Sequence, residues 1–239
     1  PGASKTIVVI AGGSDTCELD PQGRMELNRD VAIQLGTELN LALISFGVES
    51  PEEIIKMRRL KDHFDTVLSN PVNLHPALNE HQLRSALFAD LTGEFVSTLQ
   101  FTMCHLNQFV VAILGGWVDN PISCKVVPGS IGTNEMDLVQ ASGHLNNAQV
   151  TLELLSRFQE DSPIVIDTVG VDEVIRLAGE MHTTQAKMID LGAEILVQLR
   201  AEVPVGLDTL LGSYDSNRNR YNELKLAIND LLDKIAPRQ

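Results

Sequence analysis

Thr6-Ile7-Val8-Val9-Ile10-Ala11 runs directly into Gly12-Gly13-Ser14-Asp15. A continuous β-branched run that stops at paired glycines reads as a buried strand meeting a tight turn. Leu27, Val31, Leu35 and Leu39 then recur every four residues, one stripe of a helix. Leu41 to Phe46 reads as a second strand, closed by Gly47. Strand, helix and strand in this order imply a parallel βαβ arrangement.

The rest of the chain extends the pattern. Ser50-Pro51-Glu52-Glu53 is a helix start, with Ser able to cap, Pro suited to the first turn and Glu suited to the positive end of the dipole. That helix is expected to reach about His63. Asp65 to Leu68 reads as a short strand and Asn70 to Pro76 as a loop. Asn79 to Leu106 is mostly helical, with Gly93 expected to interrupt it. Phe109 to Leu114 (FVVAIL) reads as a central strand ending in Gly115-Gly116. Cys124 to Val127 is another short strand, ending in Pro128-Gly129-Ser130-Ile131-Gly132-Thr133. Met136 to Phe158 is helical, Pro163 to Ile166 strand-like and Val171 to His182 helical. Ile189 to Glu202 fits either type, and Asn222 to Ile235 is a terminal helix. The expected fold is α/β: a Rossmann-like, mostly parallel sheet with helices on both faces. It forms a single domain over residues 1–239, with a helical C-terminal portion from about residue 171.

Composition narrows the function classes. Eighteen basic against 32 acidic residues give a net charge of −14. Such a surface repels nucleic-acid backbones and anionic lipids, so neither is an expected partner. The densest basic run, Lys56-Met57-Arg58-Arg59-Leu60-Lys61, reads as a solvated helix face or as a local anion patch. Cys17, Cys104 and Cys124 lack metal-ligand or CxxC spacing and read as reduced thiols. No segment reads as a signal peptide or membrane span, and the expected compartment is the cytoplasm.

Ligands of open α/β sheets bind beyond the carboxyl ends of the strands. Three such ends are glycine-rich here, and glycine lets backbone N–H groups approach an anion closely. The candidate phosphate-binding residues are Gly12, Gly13, Ser14, Asp15, Gly116, Gly129, Ser130, Gly132 and Thr133. The backbone of the glycines would hold phosphate, and Ser130 and Thr133 would donate hydroxyl hydrogen bonds. Asp15, Asp119 and Asp137 follow the three turns; each could hold Mg²⁺, act as a base or cap a helix. Trp117 could stack on a base or sugar. Among six histidines, His144 is the most site-like. No catalytic residue can be assigned. The chain lacks the dinucleotide fingerprint, the P-loop, the hydrolase elbow and the HExxH helix.

Several landmarks together resemble the phosphofructokinase family, especially its pyrophosphate-dependent branch. Leu106 to Gly116 is similar to that family's central strand and GG turn. Cys124 to Leu138 is similar to its substrate loop, and Asn147 to Ile166 to a substrate-contacting helix and the next strand. The resemblance implies a sugar-phosphate-binding protein or subunit and, where activity is kept, a phosphotransferase. The family's metal-binding Asp falls on Trp117 and its general base on Gly132. The resemblance therefore implies a catalytically impaired or regulatory relative, acting as a homo- or hetero-oligomer. PGSIGTNEM (Pro128 to Met136) also resembles the P-G-G-x-G-T-x-x-E loop of the LOG and SLOG families, which implies a nucleotide binder or nucleoside monophosphate phosphoribohydrolase. A non-enzymatic assembly protein on an α/β fold is the third alternative.

Overall fold

The computed structural model describes residues 4–12, 30, 38–68, 72–114, 131–160, 168–201 and 205–236. These carry three strands, β1 (Ser4–Ala11), β2 (Glu38–Phe46) and β3 (Asn73–Ala77). They also carry five long helices, α1 (Pro51–Val67), α2 (Glu80–Leu114), α3 (Ile131–Glu160), α4 (Thr168–Arg200) and α5 (Leu207–Ile235). The fold is α/β, with a small parallel sheet and a large helical share. Among the described residues no helix is long and apolar enough to cross a membrane. The chain divides into two compact units. One comprises Pro1–Glu94, Leu155–Asp172 and Asp230–Gln239, and the other Phe95–Leu154 and Glu173–Asn229.

The first unit holds the sheet, in the order β1-β2-β3 with both pairs parallel. Register runs from Ser4 opposite Glu38 to Ala11 opposite Ser45, and from Ala42 opposite Asn73 to Phe46 opposite Ala77. β2 is central, and Leu41 to Ser45 are all buried. Its alternating side chains enter two clusters. Leu41, Leu43 and Leu74 pack with Met57, Phe64 and Val67 of α1. Ile44 and Ala77 pack with Leu83, Ala86 and Leu87 of α2. Phe88 also meets Phe158, with ring centroids 5.8 Å apart.

Two expectations in this unit are corrected. Asp65 to Val67 are the last turn of α1, not a strand: Lys61 pairs with Asp65 at 2.6 Å and the Leu68 N–H donates to the Phe64 carbonyl at 2.9 Å. Asn73 to Pro76 belong to β3, not to a loop. Pro76 is tolerated because β3 lies at the edge of this three-stranded sheet, where a missing N–H breaks no ladder bond. Ser50 occupies the N-cap of α1 without a side-chain cap bond, while Pro51 takes the first turn as expected.

The second unit is a bundle of four helical segments. On α2, Phe95, Leu99, Met103, Leu106, Phe109 and Val110 are buried. Phe109 to Leu114, expected as a central strand, is the last stretch of this single 35-residue helix. A short apolar run does not by itself distinguish a strand from a buried helix segment, and here the stripe from Phe95 continues through Phe109 at helical spacing. Gly93, expected to interrupt the helix, lies inside it. α3 starts earlier than expected, so Gly132 and Thr133 fall in its first turn. Residues 189–200, open in sequence, complete α4.

Contacts between segments give the directions. Phe101 and His105 of α2 meet His144 of α3, while His105 meets Asp137. Leu145 meets His182 and Leu138 meets Gly192, so α3 runs against α4. Gln185 of α4 donates to the Leu99 carbonyl at 2.7 Å, and Gly192 faces Phe109, so α2 and α4 run together. Tyr214 of α5 donates to the Leu106 carbonyl at 2.8 Å. Arg220, further along α5, donates to Glu180 nearer the start of α4 at 2.6 Å, so α5 runs against α4 and the topology is up-down-up-down.

Gly192 marks the closest approach. A Cβ there would lie 2.7 Å from Leu138 Cδ2 and 3.2 Å from Phe109 Cε1. A Cβ on Gly179, also in α4, would meet nothing within 4 Å. Gly179→Ala should therefore stabilise the chain by up to about 1 kcal/mol through helix propensity alone. Gly192→Leu should destabilise it by roughly 1–3 kcal/mol by overpacking. Urea unfolding of the two variants beside wild type checks both signs.

Candidate functional site

The three parallel strands end side by side. Gly12 follows Ala11 at the end of β1 and is exposed, and a Cβ on it would lie 3.8 Å from the Phe46 carbonyl oxygen. Gly47 follows Phe46 with φ +68°, a left-handed conformation that glycine adopts without penalty. Its N–H donates to the Ala77 carbonyl at 2.7 Å, tying the ends of β2 and β3. The helices that leave this edge carry their own acids: Glu52 and Glu53 in the first turn of α1, and Glu80 in that of α2. Those carboxylates already answer the two helix dipoles. The glycine exposed at this edge at the end of β1 is Gly12.

A buried polar group lies within the same unit. His75 Nε2 is 3.2 Å and Asn73 Nδ2 is 3.3 Å from Asp90 Oδ1. With the tautomer protonated at Nε2, both nitrogens donate to that one oxygen. His75 Nδ1 and Asp90 Oδ2 stay buried without a hydrogen-bond partner. Thr6 of β1 donates to Glu94 of α2. These contacts pin the two edge strands to one helix. The signal for them in the sequence was the alternation of Asn73 and His75 with Leu74, masked by Pro71 and Pro76.

In the second unit, two residues singled out from sequence come together. His105 Nδ1 is 3.4 Å from Asp137 Oδ1, and the His105 and His144 rings stack at 5.5 Å between centroids, 11° from coplanar. Phe101 stacks on His144 at 5.7 Å. Asp137 neither caps a helix nor stands at a strand end; it points into the bundle from α3. Burial pushes its carboxyl above the usual range, while the hydrogen bond and charge of His105 pull the other way. Burial, and then the charge of His105, lowers the His144 pKa. His182 is also lowered by burial, partly offset by its bond to the Leu145 carbonyl. His105, unremarked in sequence, joins this group only through the antiparallel packing of α2 on α3.

The remaining sequence candidates divide plainly. Gly12 lies at a strand end as expected. Gly132 and Thr133 lie within a helix. Gly13, Ser14, Asp15, Gly116, Trp117, Asp119, Gly129 and Ser130 lie outside the described residues, as do the expected strands at Cys124 to Val127 and Pro163 to Ile166. The expected helix at Leu27 to Leu39 also falls outside them, apart from a helical Asp30 and the first residues of β2. Among the described residues no three His, Cys, Asp or Glu side chains are grouped to hold a metal. Cys104, expected as a thiol, is disulfide-bonded. Spacing along the chain does not report which cysteines meet in space. The basic run Lys56 to Lys61 lies on α1, where Lys56 pairs with Glu53 at 2.7 Å.

The lowered histidine pKa values have a signed consequence. The unfolded imidazoles take up a proton near pH 6.5, whereas the folded state favours neutral His144 and His182. Their contribution to stability is whole above that pH and is lost as pH falls through it toward the folded values. Asp137, with a raised pKa, contributes in the opposite sense: its share is whole below its unfolded value and is lost as pH rises through its raised folded value. Between about pH 7 and pH 5 the histidines set the slope, so the urea midpoint should fall. His144→Phe, which keeps a ring on Phe101, should flatten that fall.

Compared with protein-family models, curated proteins and solved structures, the chain matches none, and its functional reading rests on the geometry above.

Proposed function

We propose that the chain binds a small phosphate-bearing molecule at the carboxyl edge of the β1-β2-β3 sheet, beside Gly12. The observation that carries this reading is the exposed Gly12 at the end of a parallel strand, level with the ends of β2 and β3. Parallel α/β sheets place ligands at this edge because loops, not strands, occupy it. Glycine there leaves backbone N–H groups open to an anion. The reading takes the sheet as part of a Rossmann-like layer with helices on both faces. Support for that comes from the two clusters that alternate residues of β2 enter, one with α1 and one with α2.

The ligand class is proposed from the two resemblances in the sequence, to the phosphofructokinase family and to the LOG and SLOG families. The phosphofructokinase resemblance rests on several landmarks, of which the one at Leu106 to Gly116 is helical over Phe109 to Leu114. The LOG and SLOG resemblance rests on Pro128 to Met136, of which Ile131 to Met136 lie in α3. Glu135, one place from that motif's closing acid, is ion-paired with Arg200. Sugar phosphates and pyrophosphate, nucleoside monophosphates and cyclic nucleotides are the ligands to test. Binding, rather than group transfer, is the activity proposed.

The test is a thermal-shift and calorimetric series with nucleotides, fructose phosphates and pyrophosphate, with and without Mg²⁺. A ligand that binds only the folded state, at a hundredfold excess over its dissociation constant, adds about 2.7 kcal/mol. Gly12→Leu should leave unliganded stability within about 0.5 kcal/mol, as exposed substitutions do, and should remove the ligand-induced shift. An unchanged shift in the variant would place the ligand elsewhere.

A further inference from the structure

α3 carries two apolar stripes on opposite sides. Leu138, Ala141, Leu145 and Ala148 are buried in the bundle. Met136, Val139, Val150 and Leu154 are 60%, 70%, 59% and 50% exposed. Between them Gly143 is exposed, and a Cβ on it would meet nothing within 4 Å. A surface helix ordinarily turns polar, charged residues to solvent, and a row of large apolar side chains there marks an interaction surface.

The stripe is nearly free of charge. From Met136 to Leu154 the sequence holds two acids and no Lys or Arg. One of them, Asp137, lies on the buried side; the other, Glu153, accepts a hydrogen bond from Gln149 at 3.1 Å. In a chain of net charge −14, two copies repel each other over most of their surfaces. This face is where they can meet without opposing like charges.

The spacing is also self-complementary. Reversed about Leu145, the stripe maps onto itself within one residue. Met136 falls on Leu154, Val139 on Val150, and Gly143 on Asn147. A two-fold interface requires this property, since each residue must meet its counterpart in exchange. Gly143 at the middle lets the helix backbones approach. We infer that the chain self-associates through α3, packed antiparallel against the same helix of a second copy. Met136 then meets the partner's Leu154 and Val139 meets the partner's Val150. The stripe is about 27 Å long at the helical rise, a small patch by interface standards. The dimer is therefore concentration-dependent rather than obligate, and salt strengthens it by screening the repulsion between copies.

Sedimentation velocity of the 239-residue chain over a wide concentration range, at low and high salt, tests this. Wild type should pass from monomer to dimer as concentration rises, at lower concentration in high salt. V139E/V150E should lose the dimer while its circular dichroism and Tm match wild type, since both positions are exposed. V139K/V150E should regain it, because antiparallel packing sets the cation introduced at one position against the carboxylate introduced at the other in both halves. This recovery should weaken with salt. A wild type that stays monomeric, a dimer that survives V139E/V150E, or a V139K/V150E that stays monomeric would each overturn the proposal.

Discussion

The helical half of the molecule depends on how closely α4 approaches α2 and α3 at Gly192. The side chains of Leu138 and Phe109 occupy the space a Cβ would take. Leu106 and Phe109 of the same α2 also meet Tyr214 of α5, whose hydroxyl donates a hydrogen bond to the Leu106 carbonyl. Tyr214 is fully buried, and burial holds its hydroxyl protonated. The absent side chain at Gly192 thus leaves room for α2, α3 and α4 to meet closely at one level of the core. The rest of that core is largely aliphatic, as an aromatic content of 4% requires.

The sheet half rests on a different constraint. β2 is buried along Leu41 to Ser45 and alternates its side chains between two helices. This part of the fold was legible in the residues. Continuous β-branched and aliphatic runs at Thr6 to Ala11 and Leu41 to Phe46, each stopped by glycine, define strands that pair in parallel. Ser50-Pro51-Glu52-Glu53 marked the start of α1 because its chemistry is local. What local chemistry does not contain is the partner. Phe109 to Leu114 has strand composition, but α4 and α5 pack against its start and the helix from Glu80 runs through it. Residues 73–76 have loop composition, but β2 supplies the ladder and an edge position forgives the proline.

The same distinction runs through the sites. Gly12 was legible because a strand that ends in glycine is a statement about neighbours in sequence. The His105, His144 and Asp137 group was not, since antiparallel helices bring its members together from distant points of the chain. Asp137 and His144 were visible as candidates, but as loop or turn residues rather than as one half-buried cluster. The outer stripe of α3 was hidden for a related reason. Apolar residues at helical spacing all read as core, and only the packed bundle shows which of two opposite stripes the core uses.

The fold turns on whether Leu106 to Leu114 belongs to a bundle helix or to a sheet. Backbone chemical shifts and amide hydrogen exchange over this segment test it most directly. A bundle helix requires helical Cα and carbonyl shifts continuous from Leu99 through Leu114, with slow exchange at Leu106, Phe109 and Val110, which the bundle buries. Extended shifts at Phe109 to Leu114, with cross-strand contacts to Leu41 to Phe46, would contradict the helix and restore a larger parallel sheet.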